Sequence, residues 1–212
     1  MKKKSIKKSL PLQKSFKKNI KKIVNFILEY RTLKHQPRGC LPYLKGPIAE
    51  NIAEHSFYTA IISWVMAKLE QANEDKAIKM ALIHDLAEVR GGEKNLINKF
   101  YTTPNNEEKI IEEVSQDYDL KGFSLPELLK EFNKQKTLES KIVKDADILA
   151  QMLLEKENLE LGNQSADKWI AQSFTRLKTK LGKKLGRRLI KVETDEWWLE
   201  IDKRYLFKTK FL

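Results

Sequence analysis

Cysteine, histidine, proline and glycine are all scarce in this 212-residue chain, and each scarcity excludes something. The one cysteine, Cys40, rules out an intramolecular disulfide framework and fits a reducing, cytoplasmic setting. With only His35, His55 and His84, there is little room for more than one imidazole-containing metal site. Eight Gly and six Pro leave the periodic segments long, which predicts an all-α fold. No apolar run approaches the ~18 residues of a membrane span. The Lys-rich start lacks the apolar middle of a secretory signal. A hydrophobic content of 41% over this length can build one sizeable core, so one domain is expected.

Charge is abundant but uneven. The formal net charge is +12, yet residues 2–22 hold ten Lys and no acid, leaving 31 basic against 29 acidic groups elsewhere. A second block, Arg176 to Lys191, adds eight basic residues and no acid, so what remains is acidic on balance. The ends are basic and the middle is not. Residues 1–15 read as a disordered Lys-rich arm. Phosphate attraction would allow it a nucleic-acid role, but without interleaved aromatics or Arg a solvating tail is the plainer reading.

Apolar spacing predicts a helix through Phe16, Ile20, Ile23, Val24, Ile27 and Leu28, ending near Leu33. Three prolines and two glycines make 34–49 a loop packed on the domain. A second helix is expected over 51–69, with Ile61, Ile62, Trp64 and Val65 as core. A third runs from about 74 to 89 and is broken at Gly91-Gly92. A polar loop with Pro104 follows, then helices near 105–118 and 125–135, the latter with Ser124 as N-cap. A long helix is expected over about 137–160, stopping at Gly162-Asn163. One more, over about 165–190, is weakened by Gly182 and Gly186. The domain reading is therefore an arm over 1–15, a main domain over 16–175, and a basic helix with an apolar tail over 176–212 that packs on it.

The chemistry centres on Ala81-Leu-Ile-His-Asp-Leu-Ala-Glu-Val89. His84, Asp85 and Glu88 interrupt an otherwise apolar helix, with Glu88 one turn along from the His-Asp pair. For the dipeptide alone, a hydrogen-bonded pair is the commoner explanation. His55 on the second helix and Asp147 inside the apolar pattern of the long one are further groups that need a buried partner. Two imidazoles and two carboxylates suit Mn²⁺, Fe²⁺, Co²⁺, Ni²⁺ or Zn²⁺ better than Ca²⁺.

The order His55, His84-Asp85, Asp147 resembles the HD-domain metal phosphohydrolases. The wording of Glu50-Asn-Ile-Ala-Glu-His-Ser56, His84-Asp-Leu-Ala-Glu-Val89 and Val143-Lys-Asp-Ala-Asp147 is similar to their 5′-deoxynucleotidase group, over roughly residues 20–175. The resemblance implies a helical HD-domain bundle with His55, His84, Asp85 and Asp147 as ligands of a divalent ion. Mn²⁺, Co²⁺ and Fe²⁺ lead, with Ni²⁺, Zn²⁺ and Mg²⁺ admitted. It implies Glu88 as the catalytic carboxylate and Arg38 as the group meeting the substrate phosphate. Asp145 is read as a solvated position and His35 as a loop histidine. Glu93 is either a supporting acid or the start of a helix, and Lys144 either a phosphate neutraliser or a surface lysine. Where the family has a Trp soon after its Arg, this chain has Gly39-Cys40-Leu41-Pro42. Its Gly-Asp after the HD helix reads Gly92-Glu93, so the sugar preference stays open.

The expected activity is hydrolysis of (deoxy)nucleoside 5′-monophosphates by a cytoplasmic homodimer with a small nucleotide as substrate. Two rivals are an HD hydrolase of another phosphoester (a cyclic dinucleotide, an alarmone or a ribonucleotide) and an HD scaffold binding nucleic acid through its basic ends.

Overall fold

A computed structural model describes residues 19–206, and among them the regular structure is helical apart from one bridge between Pro37 and Asn51. The expected arm over 1–15 lies outside the described residues. Helices α1 (Ile20–Tyr30), α2 (Leu41–Leu44), α3 (Ile52–Leu69), α4 (Glu74–Ile83), α5 (Glu88–Gly91) and α6 (Leu96–Tyr101) make the first half. Then come α7 (Glu107–Asp117), α8 (Leu125–Lys134), α9 (Leu138–Glu160), α10 (Ala166–Thr175), α11 (Lys180–Lys191) and α12 (Glu196–Leu206).

The long helix α9 is the axis of the bundle, packed against α3, α4, α8, α10 and α11. One core cluster joins α3, α4, α7 and α8 through Ala67, Met80, Ile111 and Leu129. A second joins α9 to α10 and α11 through Ile148, Met152, Ile170 and Leu177, with Leu181, Leu185 and Leu189 packed against it. Helix α3 starts with a capping box: the Asn51 side chain accepts from Glu54 N–H at 3.0 Å, and Glu54 Oε2 accepts from Asn51 N–H at 3.0 Å.

Several expectations are corrected. The side of α3 turned inward carries Ile52, His55, Ser56, Thr59, Ala60, Ser63, Met66 and Ala67, mostly small or polar, and packs against α4 and α9. Ile61, Trp64 and Val65 are therefore exposed rather than core. The stripe of α1 is likewise exposed at Ile20, Val24, Ile27 and Leu28, while Phe26 and Tyr30 make the inward contacts. Ser124 caps nothing through its side chain, because at φ 55° it continues the tight turn Lys121–Phe123. Between Gly92 and Pro104 the chain forms α6, capped by Asn95 accepting from Asn98 N–H at 2.8 Å.

The helix expected over 165–190 is two helices, and the cause is a remote carboxylate. Asp145 is fully buried, not solvated. Its oxygens accept from Lys178 N–H at 2.8 Å, Thr179 N–H at 2.7 Å and Thr179 Oγ1–H at 2.7 Å. Those N–H groups are thereby withdrawn from a continuous helix, and Thr179 caps α11 by accepting from Gly182 N–H at 2.8 Å. A Cβ at Gly182 would collide with the Asp145 carboxylate, so that glycine is a contact requirement.

Because three hydrogen bonds end on one buried carboxylate, Asp145→Ala should lower unfolding stability by about 3 kcal/mol or more. Urea denaturation checks this, and metal content should stay at the wild-type value. Loss of metal with stability intact would make Asp145 a ligand instead.

Candidate metal centre

The sequence stretch around His84 does not continue as a regular α-helix. Helix α4 stops at Ile83, and Leu86 N–H bonds to Ile83 O at 3.1 Å, Glu88 N–H to Asp85 O at 3.1 Å and Val89 N–H to Leu86 O at 3.2 Å. The tightening has a local cause. His84 Nδ1–H donates to the Ala81 carbonyl at 2.7 Å, occupying the acceptor a continuing helix would use. The same bond leaves Nε2 as the ring nitrogen that faces the cluster.

His84 Nε2 is buried and has no hydrogen-bond partner. It lies 3.2 Å from Asp85 Oδ2. His55 is fully buried on α3, with Nε2 3.1 Å from Asp147 Oδ1 and 3.9 Å from Asp85 Oδ2. Its Nδ1 lies 3.5 Å from Glu50 Oε1, a carboxylate placed to orient the ring from behind. One donor atom each from His55, His84 and Asp147 lie within 4.8 Å of one another. Donors held ~2.1 Å from a common ion stand about 3 to 4 Å apart, so these spacings and the orphaned nitrogen fit a divalent cation.

Around this set the structure places the other predicted site residues, while His35, read as a loop histidine, is exposed in the turn Arg31–His35. Arg38 is buried at the centre of a carboxylate ring, with Nη1 3.4 Å from both Asp85 Oδ2 and Glu93 Oε1 and Nε 3.8 Å from Glu50 Oε1. Glu93 does not begin a helix. It lies between α5 and α6 and accepts from Gly39 N–H at 2.8 Å, tying down the loop that carries Arg38. Lys144 Nζ lies 2.7 Å from Asp147 Oδ2 and 5.4 Å from the centroid of the Phe132 ring.

Glu88 projects from the first turn of α5 with Oε2 buried and unpartnered. Burial, then the charges of Asp85 and Glu93, push its carboxyl up to about 10. Asp85 and Asp147 go the other way: burial opposes ionisation, but His84 and Arg38 beside Asp85, and Lys144 and His55 beside Asp147, hold both well below the usual range. For His55, burial and Arg38 lower the value, yet the hydrogen bond to Asp147 and the nearby Glu50 carboxylate prevail and leave it at about 8.

Three supporting residues escaped the sequence analysis. Glu50 sat inside a recognised motif without a role. Gln151 and Glu155 follow Asp147 at four-residue spacing, a polar stripe on a helix buried all round that was legible but passed over. Arg38 Nη2 donates to Gln151 Oε1 at 3.2 Å, and Gln151 Nε2 donates to Glu155 Oε1 at 3.1 Å. Ser173 Oγ–H on α10 donates to the same Glu155 oxygen at 2.9 Å. Burial raises the Glu155 carboxyl to about 7 from its ordinary 4.5, against the pull of Gln151, Ser173 and Arg176.

A cleft of about 360 Å³ opens beside the cluster, lined by Arg38, Glu93 and Asp147 and also by Trp169 and Gln172 of α10 and Arg176 just past it. It is large enough for a mononucleotide-sized ligand. A larger groove lies elsewhere, lined by Tyr58, Leu153 and Trp197, and contains none of the clustered ligands.

Comparison with known proteins gives concordant results. The HD domain family profile matches residues 30–188. A 5′-deoxynucleotidase of Erwinia tasmaniensis is 29% identical over 161 residues, covering 69% of this chain and 76% of the relative. The human 5′-deoxynucleotidase HDDC2 is 27% identical over 142 residues, covering 65% of this chain and 68% of its own length. Among solved structures, the PH0347 protein of Pyrococcus horikoshii superposes with a TM-score of 0.62 at 29% identity, covering 79% of this chain and 96% of that one. A conserved hypothetical protein of Pyrococcus furiosus shares the fold at a TM-score of 0.65 and 24% identity, covering 80% and 99%.

Folding raises the Glu155 pKa, so the folded state binds the extra proton between pH 4.5 and about 7 and stability is lost as pH rises through that window. Glu155→Gln should match wild type near pH 4 and exceed it at pH 8 by up to about 3 kcal/mol in urea denaturation. A variant less stable than wild type at pH 8 would show that the ionised carboxylate is required.

Proposed function

Since the chain belongs to the HD domain family, we propose that it is a metal-dependent phosphohydrolase removing phosphate from (deoxy)nucleoside 5′-monophosphates. The observation that carries the reading is the convergence of His55, His84, Asp85 and Asp147 around the orphaned His84 Nε2, with Arg38 and Glu88 at the rim. The names of the relatives support the nucleotide substrate, and the cleft volume suits a single nucleotide better than a cyclic dinucleotide. Mn²⁺, Co²⁺ and Fe²⁺ are the preferred ions for this mixed nitrogen–oxygen set.

A divalent ion held there would supply Lewis acidity at phosphorus and bring the pKa of a water in its grip from 15.7 towards ~7. The chain's own residues supply the rest. Arg38, held by Gln151 and the carboxylate ring, offers a planar fork for the phosphoryl oxygens. Substrate phosphate competes with Asp85 and Glu93 for that guanidinium, and Lys144 adds positive charge from the α9 side. Glu88, beside Asp85 and Glu93 at the edge of the cluster, handles protons for the attacking water or the departing sugar oxygen. Glu50 and Glu93 fix His55 and the Arg38 loop, and so act through them.

The single free thiol, Cys40, supports a cytoplasmic enzyme, and no described helix is long and apolar enough to cross a membrane. The exposed apolar face of α3 at Phe57, Ile61, Trp64 and Val65 supports a homodimer, for which light scattering should return twice the chain mass.

Phosphate release from ribo- and deoxynucleoside 5′-monophosphates, with chelator-stripped protein resupplied with Mn²⁺ or Co²⁺, tests the activity. Release should require metal. Glu88→Ala should lower kcat by on the order of 10²- to 10⁴-fold with metal content unchanged by elemental analysis. His84→Ala should lose both. Absence of release with every metal would refute the monophosphatase reading.

A further inference from the structure

The cleft beside Asp147 reaches well past the atoms that would handle a phosphate. Asp147 and Glu155 both line it, and they are two turns apart on α9, about 12 Å of helix rise. That span matches a nucleoside monophosphate laid along α9 with its phosphate at Asp147. The far wall belongs to α10, which is held rigidly: Ala166, Ile170 and Ser173 are buried, and Ser173 is bonded to Glu155.

From this wall Trp169 enters the cleft half-buried, packed against the cluster of Leu44, Leu154 and Ala166. Gln172, one turn minus one residue further on, is exposed at the cleft with its amide donors and acceptor unengaged among the described residues. On the floor, Glu155 is fully buried, and its Oε2 has no partner. An indole supported from behind, a free amide and an unsatisfied carboxyl oxygen share one cleft. A sugar phosphate alone would leave that end unfilled.

We propose that this end of the cleft is a nucleobase subsite, in which Trp169 stacks on the base and Gln172 reads its edge. The inference rests on the nucleotidase reading and extends it to the residues that decide which base is accepted. Stacking on an indole tolerates any base, because every base presents a π-face. Discrimination falls to Gln172, whose amide presents a donor and an acceptor side by side. Residues of α10 thus set specificity while those of α3, α5, α9 and the turn after α4 do the chemistry.

The test compares wild type, Trp169→Ala, Trp169→Phe and Gln172→Ala, all metal-loaded. Substrates are the deoxynucleoside 5′-monophosphates and deoxyribose 5-phosphate, which has no base. Calorimetric binding of the corresponding nucleosides, which cannot be hydrolysed, is measured in parallel. Trp169→Ala should raise KM for the nucleotides by on the order of ten- to a hundredfold and weaken nucleoside binding equally. Its rate on deoxyribose 5-phosphate should stay within about twofold of wild type. Trp169→Phe should recover most of the loss. Gln172→Ala, a surface change that leaves packing alone, should alter the ratio of kcat/KM between bases. Unchanged nucleotide KM in Trp169→Ala, or equal losses on the nucleotides and deoxyribose 5-phosphate, would overturn the subsite. If wild type hydrolysed no nucleotide, the nucleotidase reading would fail on its own. Nucleoside binding that depends on Trp169 would then still uphold the subsite, and its absence would overturn it.

Discussion

The structure depends on a crowd of buried carboxylates that protein cations only partly neutralise. Asp85, Asp147, Glu50 and Glu93 surround Arg38 and His55, and Lys144 reaches one of them. Excess negative charge in a low-dielectric interior is costly unless a cation or a proton answers it. Glu88 shows the strain, since it is driven to hold its proton. A divalent ion among the two imidazoles and the carboxylates would remove that imbalance. The cluster is thus better understood as built for an ion than as a set of ion pairs that stabilise the fold.

The bundle is arranged to keep this crowd in place. Helix α9 brings Asp147, Gln151, Glu155 and Asn158 to successive turns of one face. Asp147 meets the cluster and Gln151 holds Arg38. Asn158 grips the loop ahead of α3, accepting from Ile48 N–H at 3.0 Å, and a Cβ at Gly46 would collide with it. The loop is closed from the other side by Arg38 N–H donating to Glu50 O at 3.0 Å and Ile52 N–H to Gln36 O at 3.0 Å. Arg38, Glu50 and His55 are therefore positioned by backbone bonds rather than by flexible side chains alone.

Much of this was legible in the sequence, and for physical reasons. Helices α3 and α9 follow from apolar period, Asn51 and Gly162-Asn163, and the candidate ligands stand out because charged groups in apolar helices need partners. What the sequence hid are effects of tertiary contact. The break between α10 and α11 has no Pro or Gly at the junction, because Asp145, thirty-odd residues upstream, withdraws the N–H groups of Lys178 and Thr179. The tightened turn after Ile83 comes from the His84 side chain competing for the Ala81 carbonyl. Which residues of α3 turn inward is invisible to a period count, because large apolar residues lie around the whole helix while Thr59, Ala60 and Ser63 are buried.

The central claim is that the buried cluster holds a divalent ion, and titration of chelator-stripped protein with Mn²⁺ or Co²⁺ while following the unfolding temperature tests it most directly. Binding to the folded state alone stabilises it by mass action, so Tm should climb steeply up to one equivalent per chain and then keep rising with the logarithm of free metal. The rise should vanish in a His55→Ala, His84→Ala double variant. A wild-type Tm indifferent to every divalent ion would contradict the account.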